Sequence, residues 1–304
     1  MNNYHIDSDN YIVLSQNEII ESNIDDGIVY SDNKITFTNS KPIQIHIIYL
    51  LKNNEQLTVN YELEKNVQVD LIETRILENG AQLNRNIVLN EDSILHCFNE
   101  NNSINEDDID FNDHYTLAYN AKCVSGYAEL SDGSLSSSVH CDLIGEGADI
   151  KIRMAALSKQ NEKKAFEVTI QHLSPHTYGQ MDNYGVTQDQ GILTIDGIGT
   201  ITKGQYGSET HQNNKIIVFD EKCMAQANPY LYIDEYDVKA SHAAAVGKMD
   251  DEHLFYLQSR GLTKKQAMKL ITYGYLKPVS EIIDNEVLKE RFEKALLKVG
   301  DEHV

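Results

Sequence analysis

From Asp32 to Lys248 one strand-like segment follows another with no helical interruption, and any fold must satisfy that constraint. "KITFTN", "IQIHIIYLL", "QLTVNYEL", "VQVDLIETRI" and "QLNRNIVLN" are rich in Val, Ile, Thr and Tyr, with apolar and polar residues alternating. A period of two sends alternate side chains to opposite faces. The gaps, such as "KNNE" and "ENGA", hold Asn, Asp, Gly and Glu, and the first three of these suit tight corners. The run is too long for one sandwich sheet, and no strand–helix alternation supports a doubly wound one. A barrel, a double sandwich and a solenoid remain. Many short strands with Asn and Gly at their corners suit a β-helix, in which each turn of chain stacks on the last and buries a continuous core. No crisp repeat is visible. The strands are expected to begin near residue 28. That divides the chain into a short N-terminal segment (1–27), a β core (28–249) and a small helical part (250–304).

At Asp250 the period changes to that of a helix. In "DDEHLFYLQSRG" Asp250 stands as N-cap, acids fill the first turn, and Gly261 follows as the closing glycine. "TKKQAMKLITYGYL" opens with Thr263 and Gln266 in capping-box spacing. Its apolar face is expected along Ala267, Leu270, Ile271 and Gly274. After Pro278, "NEVLKERFEKALLKVG" repeats Leu288, Phe292, Ala295 and Leu296 at helical spacing. Phe255, Tyr256 and Leu257 are adjacent and cannot all face one core, so at least one is expected to meet a partner. Arg260 is expected to pair with a carboxylate or to cap a helix end.

The formal net charge of -21 argues against nucleic acid and anionic membranes as partners. No apolar run reaches the ~18 residues of a membrane span. The opening "MNNYHIDSDNYIVL" lacks the basic-then-apolar order of a secretory leader, so a cytoplasmic location is expected. The cysteines Cys97, Cys123, Cys141 and Cys223 form no close pair, which speaks against a zinc site or a stable cluster held by this chain alone. His96-Cys97 and His140-Cys141 are strand neighbours that point to opposite faces, so these cysteines read as small core residues.

Catalytic signatures are missing. There is no phosphate-binding GxxxxGK[ST] loop and no nucleophile elbow. "GIGT" at Gly197–Thr200 lacks the third glycine and the helix of a dinucleotide fingerprint. His172 and His176 are four apart, but Pro175 lies between them in a strand-rich context, which reads as a corner rather than a metal-binding helix.

The segment from about Gln171 to Leu276 resembles the core of the SufB/SufD family of iron–sulfur cluster assembly proteins. The matching pieces, in family order, are "QHLSPHT", "GVTQDQGILTIDGIGTI" and "ANPYLYIDEYDVKASHAAAVGKMDDEHLFYLQSRGL". The resemblance implies a mainly β fold, a right-handed parallel β-helix followed by a C-terminal helical domain. It also implies side-by-side pairing of a SufB-type and a SufD-type subunit, docking of a SufC-type ABC ATPase on the helices, and clusters forming at the subunit interface. Asn214 stands where SufB carries its sulfur-handling cysteine, and Ala243 where SufB has a glutamate, so the chain resembles SufD. His242 matches the family histidine implicated in holding iron, and Ala240 replaces a cysteine found in some SufD proteins. Compared with SufD the N-terminus looks shortened.

The resemblance therefore implies a non-catalytic scaffold subunit with His242 as an interface ligand to transient iron or a nascent cluster. Phe255, Tyr256, Leu257 and Arg260 become the candidate partner surface. Two other readings stay open. One is a degenerate SufD-like subunit that binds no metal, and the other is a β-solenoid acting on carbohydrate. Pairing with a SufB-type subunit and pairing with a second copy of the chain are not distinguished.

Overall fold

The computed structural model describes residues 4–16, 18–103, 106–282 and 286–298. Four short strands come first: β1 (Tyr11–Leu14), β2 (Ile19–Asn23), β3 (Ile28–Ser31) and β4 (Lys34–Phe37). Strands therefore start well before residue 28. "YIVL" is too short to announce itself, and it is held by parallel pairing with the strand that begins at Ile43. Then follow β5 (Ile43–Leu51), β6 (Gln56–Leu63), β7 (Gln68–Leu77), β8 (Gln82–Leu89) and β9 (Ile94–Asn101). Next come β10 (Ile109–Leu117), β11 (Lys122–Glu129), β12 (Leu135–Leu143), β13 (Asp149–Ser158) and β14 (Lys163–His172). The last are β15 (Tyr178–Thr187), β16 (Ile192–Ile201), β17 (Glu209–Val218), β18 (Met224–Ile233) and β19 (Lys239–Lys248).

From β5 onward the odd strands form one sheet and the even strands the other, each in strict order of chain position. Every step along either stack is parallel. This is a β-solenoid of about 7 turns. Its repeat escapes the eye because its length drifts. Val69 pairs with Leu95, Leu95 with Cys123, Cys123 with Ile150, Ile150 with Gly179 and Gly179 with Thr210. Those steps run from 26 to 31 residues, and register is kept by the strands while the corners absorb the difference. Many corners turn through a left-handed residue, among them Asn54, Asn66, Asp92, Asn120 and Asp189. Asn and Asp tolerate this conformation better than other side-chain-bearing residues.

Inward positions fill the space between the sheets with one continuous apolar cluster that includes Ile47, Leu71, Leu95, Ile150 and Val168. Cys97, Cys123 and Cys141 belong to it as expected. Burial pushes the Cys97 thiol up to about 12, which makes it unreactive. Midway along, the core carries charge. Arg85 Nε donates to Asp113 at 2.7 Å and Nη1 to Glu73, while Arg75 Nη2 donates to Asp113 at 3.1 Å and to Asn99 at 3.0 Å. Tyr61 donates to Glu73 and Tyr127 to Asp113. Burial alone would raise the Asp113 carboxyl, but Arg85 and Arg75 override it and hold it at about 2.

The helices are α1 (Asp251–Ser259), α2 (Lys264–Leu276), a 3-10 turn (Lys277–Ile282) and α3 (Glu286–Lys298). Asp250 caps α1 by accepting from the Glu252 N–H, Gly261 takes φ +97°, and Thr263 and Gln266 form the capping box. The buried side of α2 differs from the expected one. Ala267, Thr272 and Leu276 are inside, whereas Leu270 is half exposed and Gly274 is exposed. The stripe is rotated because Thr272 receives a bond from Gln188 and Leu276 enters a second core. That core joins Leu276, Val279, Phe292, Ala295 and Leu296 to Ile72, Phe98, Ala128, Ala155, Leu157 and Val186 on the outer face of the odd-strand sheet. Leu288 lies outside the residues whose side chains are described.

Asp113→Asn should lower unfolding stability by about 3–5 kcal/mol, because the buried pair Arg85 and Arg75 then loses the carboxylate they share and Glu73 alone is left bonded to Arg85. The measurement is a shift in denaturant midpoint at unchanged slope. Because Asp113 titrates below the ordinary ~3.9 of an aspartate, its contribution is complete above pH ~4. It should fade as the pH falls towards 2, and the variant should lack that loss.

Candidate functional site at the open end of the solenoid

The two ends of the stack are finished differently. At the N-terminal end β1 and β2 pair antiparallel with a register shift between Val13 and Leu14, and β3 and β4 also pair antiparallel. Short, irregular hairpins of this kind blunt a sheet edge. At the C-terminal end the ten-residue strands β18 and β19 are the outermost members of their sheets. All ten residues of β19 are exposed. Beside them on β18, Met224 is 57% and Tyr232 59% exposed, with Tyr230 and Ile233 also open to solvent. Among the described residues nothing pairs with either edge.

His242 stands at this end. It is in register with Gln212, which is in register with Met181, and Met181 with Ile152. Gln212, Met181 and Ile152 are buried side chains on the lumenal side of their strands, so His242 closes a lumenal column that turns from apolar to polar as it approaches solvent. The neighbouring column runs Met154, Asn183, Asn214, Ala244. Asn214 is fully buried and accepts from Asn183 Nδ2 at 2.9 Å. The "GIG" of β16 makes room for this lining. A Cβ on Gly197 would meet Asn214 Nδ2 at 2.8 Å, and one on Gly199 would meet Gln212 Nε2 and Thr210 Oγ1 at 2.9 Å.

This lining is under-satisfied. Gln212 Nε2 donates to the Tyr230 carbonyl at 2.8 Å, but Gln212 Oε1, Asn214 Nδ2, Asn183 Oδ1 and Thr210 Oγ1 are buried without a partner. His172 is buried in the same region, with Nδ1 2.7 Å from Thr177 Oγ1 and Nε2 unpartnered. Buried polar atoms left in this way are costly. Their gathering below the open end makes this the polar mouth of an otherwise apolar tube. His176 takes the left-handed corner at φ 55° and packs edge-on against Tyr206. His172 and His176 therefore serve a corner, as their sequence context suggests.

Next to the open end, α1 follows β19 directly and buries none of its residues. Phe255 is 73% exposed and Tyr256 55%. Leu257 is half-buried, and the Arg260 guanidinium lies 5.2 Å from the Tyr256 ring centre at the helix C-terminus. The structure thus brings the aromatic patch and Arg260 together on one exposed helix. His242 lies on the adjoining strand. Sequence reading missed the polar lumen and the exposed tyrosines of β18. The signal was present in "ETHQNNKIIV", where Thr210, Gln212 and Asn214 share the parity of the buried Ile216.

The family model described as SUF system FeS cluster assembly, SufBD core domain, matches residues 16–275. The chain belongs to the SufBD core-domain family. It is 33% identical over 175 residues to the iron-sulfur cluster assembly protein SufD of Bacillus subtilis (strain 168), covering 58% of this chain and 39% of that protein. Against SufD of Escherichia coli (strain K12) it is 26% identical over 184 residues, 60% of this chain and 43% of that protein. SufB of Bacillus subtilis (strain 168) shares 26% over 167 residues, 53% of this chain and 36% of that protein. Within one organism the SufD match is the stronger, and the chain is a SufD-like member. These alignments span less than half the length of each relative.

Burial holds the His172 imidazole at about 4, and burial helped by His5 does the same for His46. Both are neutral when folded, while an unfolded histidine takes a proton near ~6.5. Stability should therefore be complete above pH ~6.5 and fall as the pH drops towards 4, by up to about 3 kcal/mol per histidine. His172→Gln should leave the part carried by His46. Chemical denaturation at a series of pH values reads this directly.

Proposed function

We propose that this chain is a non-catalytic, SufD-like scaffold subunit of a cytoplasmic iron–sulfur cluster assembly complex. It pairs through the open edges of β18 and β19 with a SufB-type subunit or a second copy of itself. The carrying observation is the pair of ten-residue strand edges left bare at one end while the other end is blunted. Unpaired N–H and C=O groups along β19, flanked by Tyr230, Tyr232 and Met224, form a surface that another strand edge completes. The helix α1, with no buried residue of its own, is the docking face for a SufC-type ABC ATPase through Phe255, Tyr256, Leu257 and Arg260.

In this reading iron or a nascent cluster is cargo at the subunit interface. His242 offers it one imidazole, a donor suited to iron. One histidine cannot hold a cluster, so the remaining ligands come from the partner or from sulfide. Cys97, Cys123 and Cys141 are too deeply buried to take part, and Asn214 supplies no thiolate. Membership of the SufBD family takes the place of the carbohydrate-active alternative.

The test is co-purification with the cognate SufC and SufB subunits, with clusters followed by absorbance. Tyr232→Asp should weaken pairing on the order of 10–100-fold, or about 1.4–2.8 kcal/mol, and should leave ATPase docking intact. Phe255→Ala should do the reverse. His242→Ala should assemble normally and lose clusters. Equal clusters in His242→Ala and wild type would make the chain a scaffold with a structural histidine, and failure of any complex to form would overturn the whole reading.

A further inference from the structure

A second group of metal-ligating side chains lies away from the open end, on the outer face of the even-strand sheet. His114 on β10 and His140 on β12 are partners in register, and Asp142 follows His140 by two residues on the same face. Parallel pairing sets the two histidines one strand spacing apart, ~4.8 Å, and the period of two returns Asp142 to their side. His114 Nε2 is 2.8 Å from Asp142 Oδ2, and His140 Nε2 is 3.1 Å from Asp142 Oδ1. The two rings meet edge to face with centres 5.1 Å apart. One ligand atom from each residue falls within 4.8 Å of the other two.

We propose that His114, His140 and Asp142 form a binding site for a divalent first-row transition metal ion, distinct from His242. Two imidazoles and one carboxylate match the donor preferences of Fe²⁺, Co²⁺ and Zn²⁺, and they disfavour Mg²⁺ and Ca²⁺, which seek oxygen. With three protein ligands on a partly exposed face, the other coordination positions belong to water, so this is an open site at which ions exchange. Nearby chemistry leaves the carboxylate available. The register neighbours of the three residues on β8 and β14, Asn86, Thr169 and Gln171, are uncharged. Among the described residues, no lysine or arginine pairs with Asp142. The chain's charge of -21 also raises the local concentration of cations. The competing account is that Asp142 simply accepts an N–H from each imidazole. Metal binding would replace both protons, so the two accounts predict different chemistry at the same nitrogens.

The experiment uses the full chain, freed of any histidine tag and stripped with chelator, titrated with Co²⁺ under calorimetry and visible absorbance. One equivalent should bind with visible bands of a nitrogen- and oxygen-ligated ion. His114→Ala and His140→Ala should each weaken it at least ~100-fold, beyond the 10–100-fold typical of losing an outer-shell partner. His242→Ala should leave it unchanged. Without any variant, Zn²⁺ added to the wild-type chain should shift the Nε2 signals of two histidines in imidazole nitrogen spectra. No saturable binding, or binding that survives both alanine variants with circular dichroism unchanged, would overturn the site and leave Asp142 as a hydrogen-bond acceptor.

Discussion

Each turn of this solenoid is completed by the turn above it, and most of the architecture follows from that dependence. A strand in the middle of either sheet has both of its edges bonded, one by the strand a turn earlier and one by the strand a turn later. Nothing within the stack can satisfy the last turn. The chain resolves the problem at its start by folding β2 back on β1 and β3 back on β4. At the finish it leaves the edges of β18 and β19 standing. A bare edge of that length is a hazard for a protein that works alone. It is the expected feature of one whose last turn is completed by another chain, which is the observation that carries the proposed pairing.

The stack also dictates the interior. A side chain facing the lumen is covered by the one in register above it, so chemistry propagates in columns rather than in scattered contacts. The pairing of Glu73, Arg75, Arg85 and Asp113 shows how far that can be taken. Two guanidiniums sit wholly inside the tube, and Glu73 and Asp113, which they bond, each also accept from a tyrosine. Such a network contributes little net stability against an apolar core of equal volume. Its consequence here is register, because a slip of one residue would turn every charge to the wrong face. Nearer the open end, Asn183, Gln212 and Asn214 replace the apolar residues of lower turns, and Gly197 and Gly199 leave the space that Gln212 and Asn214 fill. Apart from that charged network the tube is thus apolar in its body and polar at its open end.

Much of this was legible in the residues. Alternation gave the strands, Asn and Asp gave the corners, and Asp250, Gly261 and Thr263 gave the helix ends, because those signals are local. The order of strands in the sheets was not legible, since steps of 26 to 31 residues hide the repeat that a fixed period would display. The N-terminal strands were missed because four residues of "YIVL" carry no pattern of their own and depend on β5. The rotated face of α2 was missed because Thr272 is buried for a hydrogen bond rather than for apolarity. The reading of His140-Cys141 shows the limit of local logic. Opposite faces for neighbours is correct, with Cys141 inside and His140 outside. What brings His140 to His114 is a register 26 positions away, which no short motif encodes.

The placement of the helices suggests how a partner could act on the open end. The segment after α1 is anchored, since Leu276, Val279, Phe292 and Leu296 share a core with strands of several turns. Arg291 adds a bond to Thr74 at 2.8 Å and a contact with Glu100. By contrast α1 has no fully buried residue and follows β19 after only Met249 and Asp250, with an exposed ion pair between Lys248 and Asp251 beside the junction. It is therefore the least restrained helix and the one most directly tied to the exposed edge. A protein gripping Phe255 and Tyr256 would pull on β19 before it disturbed the rest of the stack, because the shared core resists displacement while the two-residue junction does not. In this geometry force applied to α1 would be delivered first at β19, which is bonded along one edge only, with the body of the solenoid as the frame that resists it.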